Sequence, residues 1–158
     1  MNVAYVNPFV QGSQRVFDSV CQEKPSLGQV FLKTTSYTTL TVAVSLSFHG
    51  AFSGEVVYTM EETVGCFIAS KMMSGYPVES LQSNEMAQSA LCELANIISG
   101  HVATIFSGKG MLIDISPPKY LFNPTSADFP IAANIPKIVC VPLSFSSGYM
   151  FEVDVLIP

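Results

Sequence analysis

Glu93 and Asn96, a carboxylate and a carboxamide three residues apart, stand with the hydroxyl of Ser89 as the side chains best placed to do chemistry. On a helix, residues three and four apart are surface neighbours, so the three lie on one line. A carboxylate brings charge and acceptor oxygens, a carboxamide donates and accepts hydrogen bonds at once, and a hydroxyl does the same more weakly. Asn costs roughly 0.5 kcal/mol against Ala inside a helix, so Asn96 is not explained by helix propensity. The spacing alone is equally that of a solvated helix face.

The element that must position these residues is the stretch Asn84 to Phe106, NEMAQSALCELANIISGHVATIF. At about 100° per residue, Ala87, Leu91, Leu94, Ala95, Ile98, Val102 and Ile105 form one apolar stripe. By the same rule the centre of the Ser89, Glu93 and Asn96 group lies about 170° from the centre of that stripe. The stripe is built for burial and the polar line for solvent. Ser83 or Asn84 suits the N-cap, and Glu85 is favourable in the first turn.

The pattern Ser-x-x-x-Glu-x-x-Asn, followed by IISG, resembles the signature of the CheC/CheX/FliY phosphatases, and within that group the chain is most similar to CheX. The opening NVAYVNPFVQGSQRVFDSV, the GAFSGEVVYTM stretch, KMMSG and DISPP at 114–118 resemble the CheX pattern in the same order, so the likeness runs from about Asn2 to the last strand.

A chain of 158 residues suits a single domain spanning 1–158 with a real core. Hydrophobic residues at 49% argue against disorder, and no apolar run has the length of a membrane span. Charged residues make up only 12%, against a usual quarter, which suggests apolar surface covered by a partner or a second copy. A net charge of −5 without a basic stripe argues against nucleic acid, and no phosphate-cradling glycine motif is present. The N-terminus has no export signal, so the expected compartment is the cytoplasm. Cys21, Cys66, Cys92 and Cys140 form no metal-type cluster and read as free thiols, with Cys92 nearest a polar face.

Elsewhere, Asn7-Pro8 reads as a helix start, cap then proline, with the helix ending near Lys24-Pro25. No Glu-x-x-Asn pair lies on its solvent side, so this first helix is structural. Strands are expected at 29–35, 40–48 and 52–59, with a hairpin at Gly50 and His49 in its turn. Val42, Val44, Leu46 and Phe48 alternate with Thr41, Ala43, Ser45 and Ser47, as in a sheet with one buried face. Thr59-x-x-Glu62 matches a capping box and starts a helix that stops near Gly75. A strand follows the central helix at 110–116, and then a proline-rich passage, 117–134, too broken for regular helix. It reads as an extended edge segment, a cover over the sheet or a dimer contact. Strands at 136–145 and 149–157 close the chain as a hairpin.

This order gives an α+β domain, an antiparallel-rich sheet with helices on one face and loosely repeated halves. The CheX resemblance implies the same CheC-like fold and a homodimer. It further implies hydrolysis of the aspartyl phosphate of a CheY-like receiver domain, with Asn96 positioning the attacking water, Glu93 pairing with a receiver Lys and Ser89 in support. On that view this chain needs no cofactor of its own, and the Mg²⁺ belongs to the partner's site. The alternatives are a receiver-binding adaptor without turnover and a dimeric scaffold.

Overall fold

The computed structural model describes residues 3–34 and 36–158; Asn2, where the family likeness begins, and Thr35, the end of the first expected strand, lie outside the described residues. In chain order the elements are α1 (Val3–Cys21), β1 (Ser26–Leu27), β2 (Phe31–Lys33), β3 (Val42–Gly50), β4 (Gly54–Met60), α2 (Glu62–Met72) and α3 (Glu85–Gly108). There follow β5 (Ile113–Ile115), β6 (Lys119–Phe122), two 3-10 helices (Ser126–Asp128 and Pro130–Asn134), β7 (Ile138–Ser144) and β8 (Met150–Leu156).

All the strands belong to one antiparallel sheet in the order β1-β7-β8-β4-β3-β5, with β2 also on β7 and β6 also on β3. The halves are related as the sequence suggested, with an exchange. β1 and β2 precede the β3–β4 hairpin but lie on β7, whereas β5 and β6 precede the β7–β8 hairpin but lie on β3. The two hairpins meet at the centre, where Tyr58 of β4 faces Val153 of β8.

The expected alternation sends Val42, Val44, Leu46 and Phe48 toward the helices, where they join Val56, Tyr58, Met60, Phe151, Val153 and Val155 in the main core. The opposite face is not left to solvent. Ala43 and Val57 are buried there with Ile138, Cys140 and Leu156 beneath Tyr37, Phe129 and Ile135. The proline-rich passage is therefore chiefly a cover, and it also contains an edge strand, β6, and two 3-10 turns, the second opening on Pro130. Proline at a first helical position gives up a donor that would have no partner anyway.

Several boundaries differ from expectation. α1 does not start at Asn7-Pro8; it starts at Val3 and carries Pro8 inside. The lost hydrogen bond is outweighed by packing, since Tyr5 stacks edge-on against Phe52 at 4.8 Å and Val6 and Phe9 are buried. α1 ends at Cys21 because Gln22 turns to φ 54°. The expected strand at 29–35 is cut to β2 at Phe31–Lys33, and a separate two-residue strand, β1 at Ser26–Leu27, precedes it. Pro142 of β7 accepts from Gly28 N–H at 2.9 Å, so its donorless nitrogen faces the same edge and interrupts pairing there. His49 is not in the turn but pairs with Asp114 at the end of β3.

The Thr59–Glu62 capping box does not form. Thr59 is inside β4, its hydroxyl donating to Val42 O at 2.9 Å and accepting from Leu40 N–H at 2.8 Å. Glu62 instead accepts from Leu81 N–H at 3.2 Å.

α3 is long and apolar enough to span a membrane by length and composition. In the fold its apolar side packs on α1, α2 and the sheet, and buries Leu91, Leu94, Ile98 and Val102.

Candidate functional site

α3 is placed by close approaches that only small residues permit. A Cβ on Gly12 of α1 would come within 3.0 Å of Val102 Cγ2, and one on Gly65 of α2 within 2.7 Å of Leu81 Cδ1. Leu81, fully buried, plugs the joint between α2 and α3. The loop before α3 is tied down by Gln88 Nε2 donating to Leu81 O at 2.7 Å. Asn84 caps the helix as expected, its Oδ1 accepting from Ala87 N–H at 3.0 Å. These fix the rotation of α3 about its axis.

The buried arc is turned slightly from the expected one. Ile105 is only half-buried, while Phe106 is fully buried among Tyr5, Phe9 and Phe52, and Ser99 shares a buried hydrogen bond with Tyr58 Oη at 3.0 Å. An aromatic cluster and a hydrogen bond from the sheet set this tilt, and neither is visible in the helix's own period.

The polar line stands where the period placed it. Ser89 and Glu93 are exposed and Asn96 is half-buried, and with Glu85, Gln88, Cys92 and Tyr120 they line one shallow, open groove. Among the described residues, the side chains of Ser89, Glu93 and Asn96 form no hydrogen bond or ion pair within the chain. A carboxylate and a carboxamide left unpartnered on a rigid helix are free to meet groups from another molecule. The groove is open to solvent, so a partner as large as a folded protein can reach it.

Cys92 sits in this groove half-buried, and burial pushes its thiol up from the ordinary range. A thiol raised in this way is a poorer nucleophile at neutral pH. Tyr120 is the residue that sequence reasoning missed. It projects from β6 toward the helix side, opposite Val44, and its hydroxyl is buried without a partner among the described residues. Burial first, then Glu62, Cys66 and Cys92, push that hydroxyl up to about 12. No local motif marks it; the only cue would have been the pairing of 119–122 with β3.

A second group of ionisable residues lies beneath the opposite face of the sheet. Cys140, Glu152 and Asp154 are buried with ligand atoms within 4.8 Å of one another, close enough for a metal. Lys33 already supplies the cation, its Nζ 2.8 Å from Glu152 Oε2 and 3.3 Å from Asp154 Oδ2. Tyr37 Oη donates to Asp154 Oδ2 from the other side. Burial, and then Glu152, push the Asp154 carboxyl up to about 7. The Lys33 ammonium and the Tyr37 hydroxyl both meet Asp154 Oδ2, while Asp154 Oδ1 is buried without a hydrogen-bond partner among the described residues; the group lies on the face of the sheet opposite the α3 groove.

The family model "Chemotaxis phosphatase CheX" matches residues 42–138, more than half of the chain and the whole of α3. The chain belongs to the CheX family. A relative from Thermotoga maritima, named "CheY-P phosphatase CheX", is 26% identical over 120 residues, which is 75% of each protein. The fold is similar to that of CheX in the CheX-CheY-BeF3-Mg²⁺ complex from Borrelia burgdorferi, with a TM-score of 0.79, 25% identity and 97% of each chain covered. It is also similar to a CheC-like superfamily protein from Shewanella sp. PV-4, with a TM-score of 0.81 and 22% identity over 100% of this chain and 99% of that one. These likenesses agree with the α+β, CheC-like architecture described above.

Proposed function

We propose that this chain is a protein phosphatase that hydrolyses the aspartyl phosphate of a CheY-like response-regulator receiver domain. The observation that carries the reading is the outward, unpartnered line Ser89, Glu93 and Asn96 on a helix locked in place by its caps and glycine contacts. Support comes from the family and from two relatives, one named as a CheY-P phosphatase and one solved with CheY.

An acyl phosphate is already activated. Its hydrolysis needs a water held in line with the phosphorus and neutralised phosphate charge. Asn96 holds that water through its carboxamide, which accepts and donates at once. Water oxygen bonds to phosphorus, the bond from phosphorus to the aspartyl oxygen breaks, and the products are a free carboxylate, inorganic phosphate and a proton. Glu93 pairs with a receiver Lys and fixes the register of docking. Ser89, one turn earlier, supports that contact. On this reading the Mg²⁺ is held by the receiver, as the CheX likeness implies and as suits a relative solved as a CheX-CheY-BeF3-Mg²⁺ complex.

We also propose that the chain forms a homodimer through the β1/β2 edge. Leu27, Val30, Phe31 and Leu32 are 51%, 44%, 41% and 49% exposed there, an apolar strip beside unpaired strand groups. The reaction places the protein in the cytoplasm with its receiver.

The test is phosphate release from a panel of Mg²⁺-loaded phosphorylated receivers, with wild type beside Asn96→Ala and Glu93→Ala. Wild type accelerates one receiver. Asn96→Ala loses on the order of 10²-fold in kcat without loss of fold, and Glu93→Ala chiefly raises KM. Binding without acceleration by wild type would replace the phosphatase with an adaptor.

A further inference from the structure

Four glycines lie within helices, and three have local explanations. Gly12 and Gly65 are needed for close packing, because a Cβ on either would strike a neighbour at 3.0 and 2.7 Å respectively. Gly108 is the last residue of α3, where helices fray. Gly100 has neither reason. It lies well inside a 24-residue helix, and a Cβ built on it meets nothing within 4 Å. Glycine inside a helix destabilises it relative to alanine, so an alanine here would stabilise the chain at no steric cost.

Its position accounts for it. At about 100° per residue, Gly100 lies about 20° from Glu93 on the helical wheel and 40° from Asn96. It is about 6 Å further along the axis than Asn96, at about 1.5 Å per residue. Ser89, Glu93, Asn96 and Gly100 thus share one narrow strip, and any body that covers Asn96 also covers Gly100.

We propose that Gly100 is where the receiver's backbone comes nearest to α3, and that the missing side chain sets the depth to which Asn96 enters the receiver's site. The proposal rests on the phosphatase reading above and adds a positioning residue to it. A methyl group at Gly100 holds the receiver off the strip, and a shift on the order of 1 Å at a water-positioning amide costs about 10²-fold. Glu93 can follow the receiver on its longer side chain, whereas the short Asn96 cannot. The loss therefore falls more on kcat than on KM.

The experiment compares wild type, Gly100→Ala, Gly100→Leu and Asn96→Ala on the receiver that wild type dephosphorylates, with thermal unfolding of each. Gly100→Ala is expected to raise Tm by about 2–4 °C and to lower kcat by about 10-fold or more, with Gly100→Leu lower still. A purely structural glycine would lose stability and activity together. Unchanged kcat in Gly100→Ala, beside an active wild type and an impaired Asn96→Ala, overturns this proposal and leaves the phosphatase reading standing. A lowered Tm in Gly100→Ala overturns it as well. If wild type accelerates no phosphorylated receiver, the phosphatase reading fails and the Gly100 proposal fails with it.

Discussion

Replacing Lys33 with methionine tests the charged network beneath the sheet most directly. Its Nζ lies 2.8 Å from Glu152 Oε2, 3.3 Å from Asp154 Oδ2 and 2.8 Å from Thr38 O. Both carboxylates are buried, at 3% and 0% exposure. Removing one partner of a buried ion pair costs about 3–5 kcal/mol, because the remaining charge is left without compensation. For a chain of this length each kcal/mol moves Tm by about 2–4 °C, so Lys33→Met lowers Tm by roughly 6–20 °C at pH 8. The pH dependence follows from Asp154, whose carboxyl is pushed up to about 7, by burial first and then by Glu152. An ordinary Asp titrates near 3.9. Between about pH 4 and 7 the folded chain therefore keeps a proton that the unfolded chain has released. That contribution to stability is present at low pH and is lost as pH rises through about 7. At pH 5 Asp154 is protonated, one carboxylate charge disappears, and the methionine variant recovers part of its loss. Urea denaturation at pH 5 and pH 8 measures both effects, and Lys33→Met/Asp154→Asn should be more stable than Lys33→Met alone at pH 8. A cost below about 1 kcal/mol at pH 8, or the same cost at both pH values, would falsify the assignment of Lys33 as the cation of this network.

Ser99→Ala leaves the buried Tyr58 hydroxyl without its partner at 3.0 Å and should cost about 1–3 kcal/mol. Tyr58→Phe/Ser99→Ala should recover most of that loss, which a double-mutant cycle in urea would read. Tyr120→Phe removes a buried hydroxyl that has no partner among the described residues, so stability should hold or rise by about 1 kcal/mol. A clear loss on equilibrium unfolding would mean that the hydroxyl is hydrogen-bonded in solution.

The polar line of the candidate site was legible because what places it is local, whereas Tyr120 in the same groove was not. Asn84 as cap, the apolar stripe and the line Ser89, Glu93 and Asn96 are all written within one helix, and a single period relates them. The β3–β4 and β7–β8 hairpins were legible for the same reason. What failed depended on distant partners. Thr59 and Glu62 have the spacing of a capping box, but β4 claims the hydroxyl and the loop at Leu81 claims the carboxylate. Pro8 has the marks of a helix start, but aromatic packing carries the helix back to Val3. Ala43 and Ser45 look solvent-facing until a segment from beyond residue 117 covers the sheet. Lys33 and Asp154 are 121 residues apart, and no window of sequence brings them together.

The exchange of leading strands between halves bears on how the chain is made. β4 finds its outer neighbour only in β8, with Tyr58 waiting for Val153, and β7 must receive β1 and β2 from the opposite end of the sequence. The strands β3 to β6 can pair among themselves, but β1, β2 and the inner edge of β4 have no partner until β7 and β8 are made. The cost of closing such long loops falls early, and the reward comes with the last strand. The sheet is therefore completed only when β7 and β8 join it, and until then the β4 edge that faces β8 is unpaired and open to wrong partners.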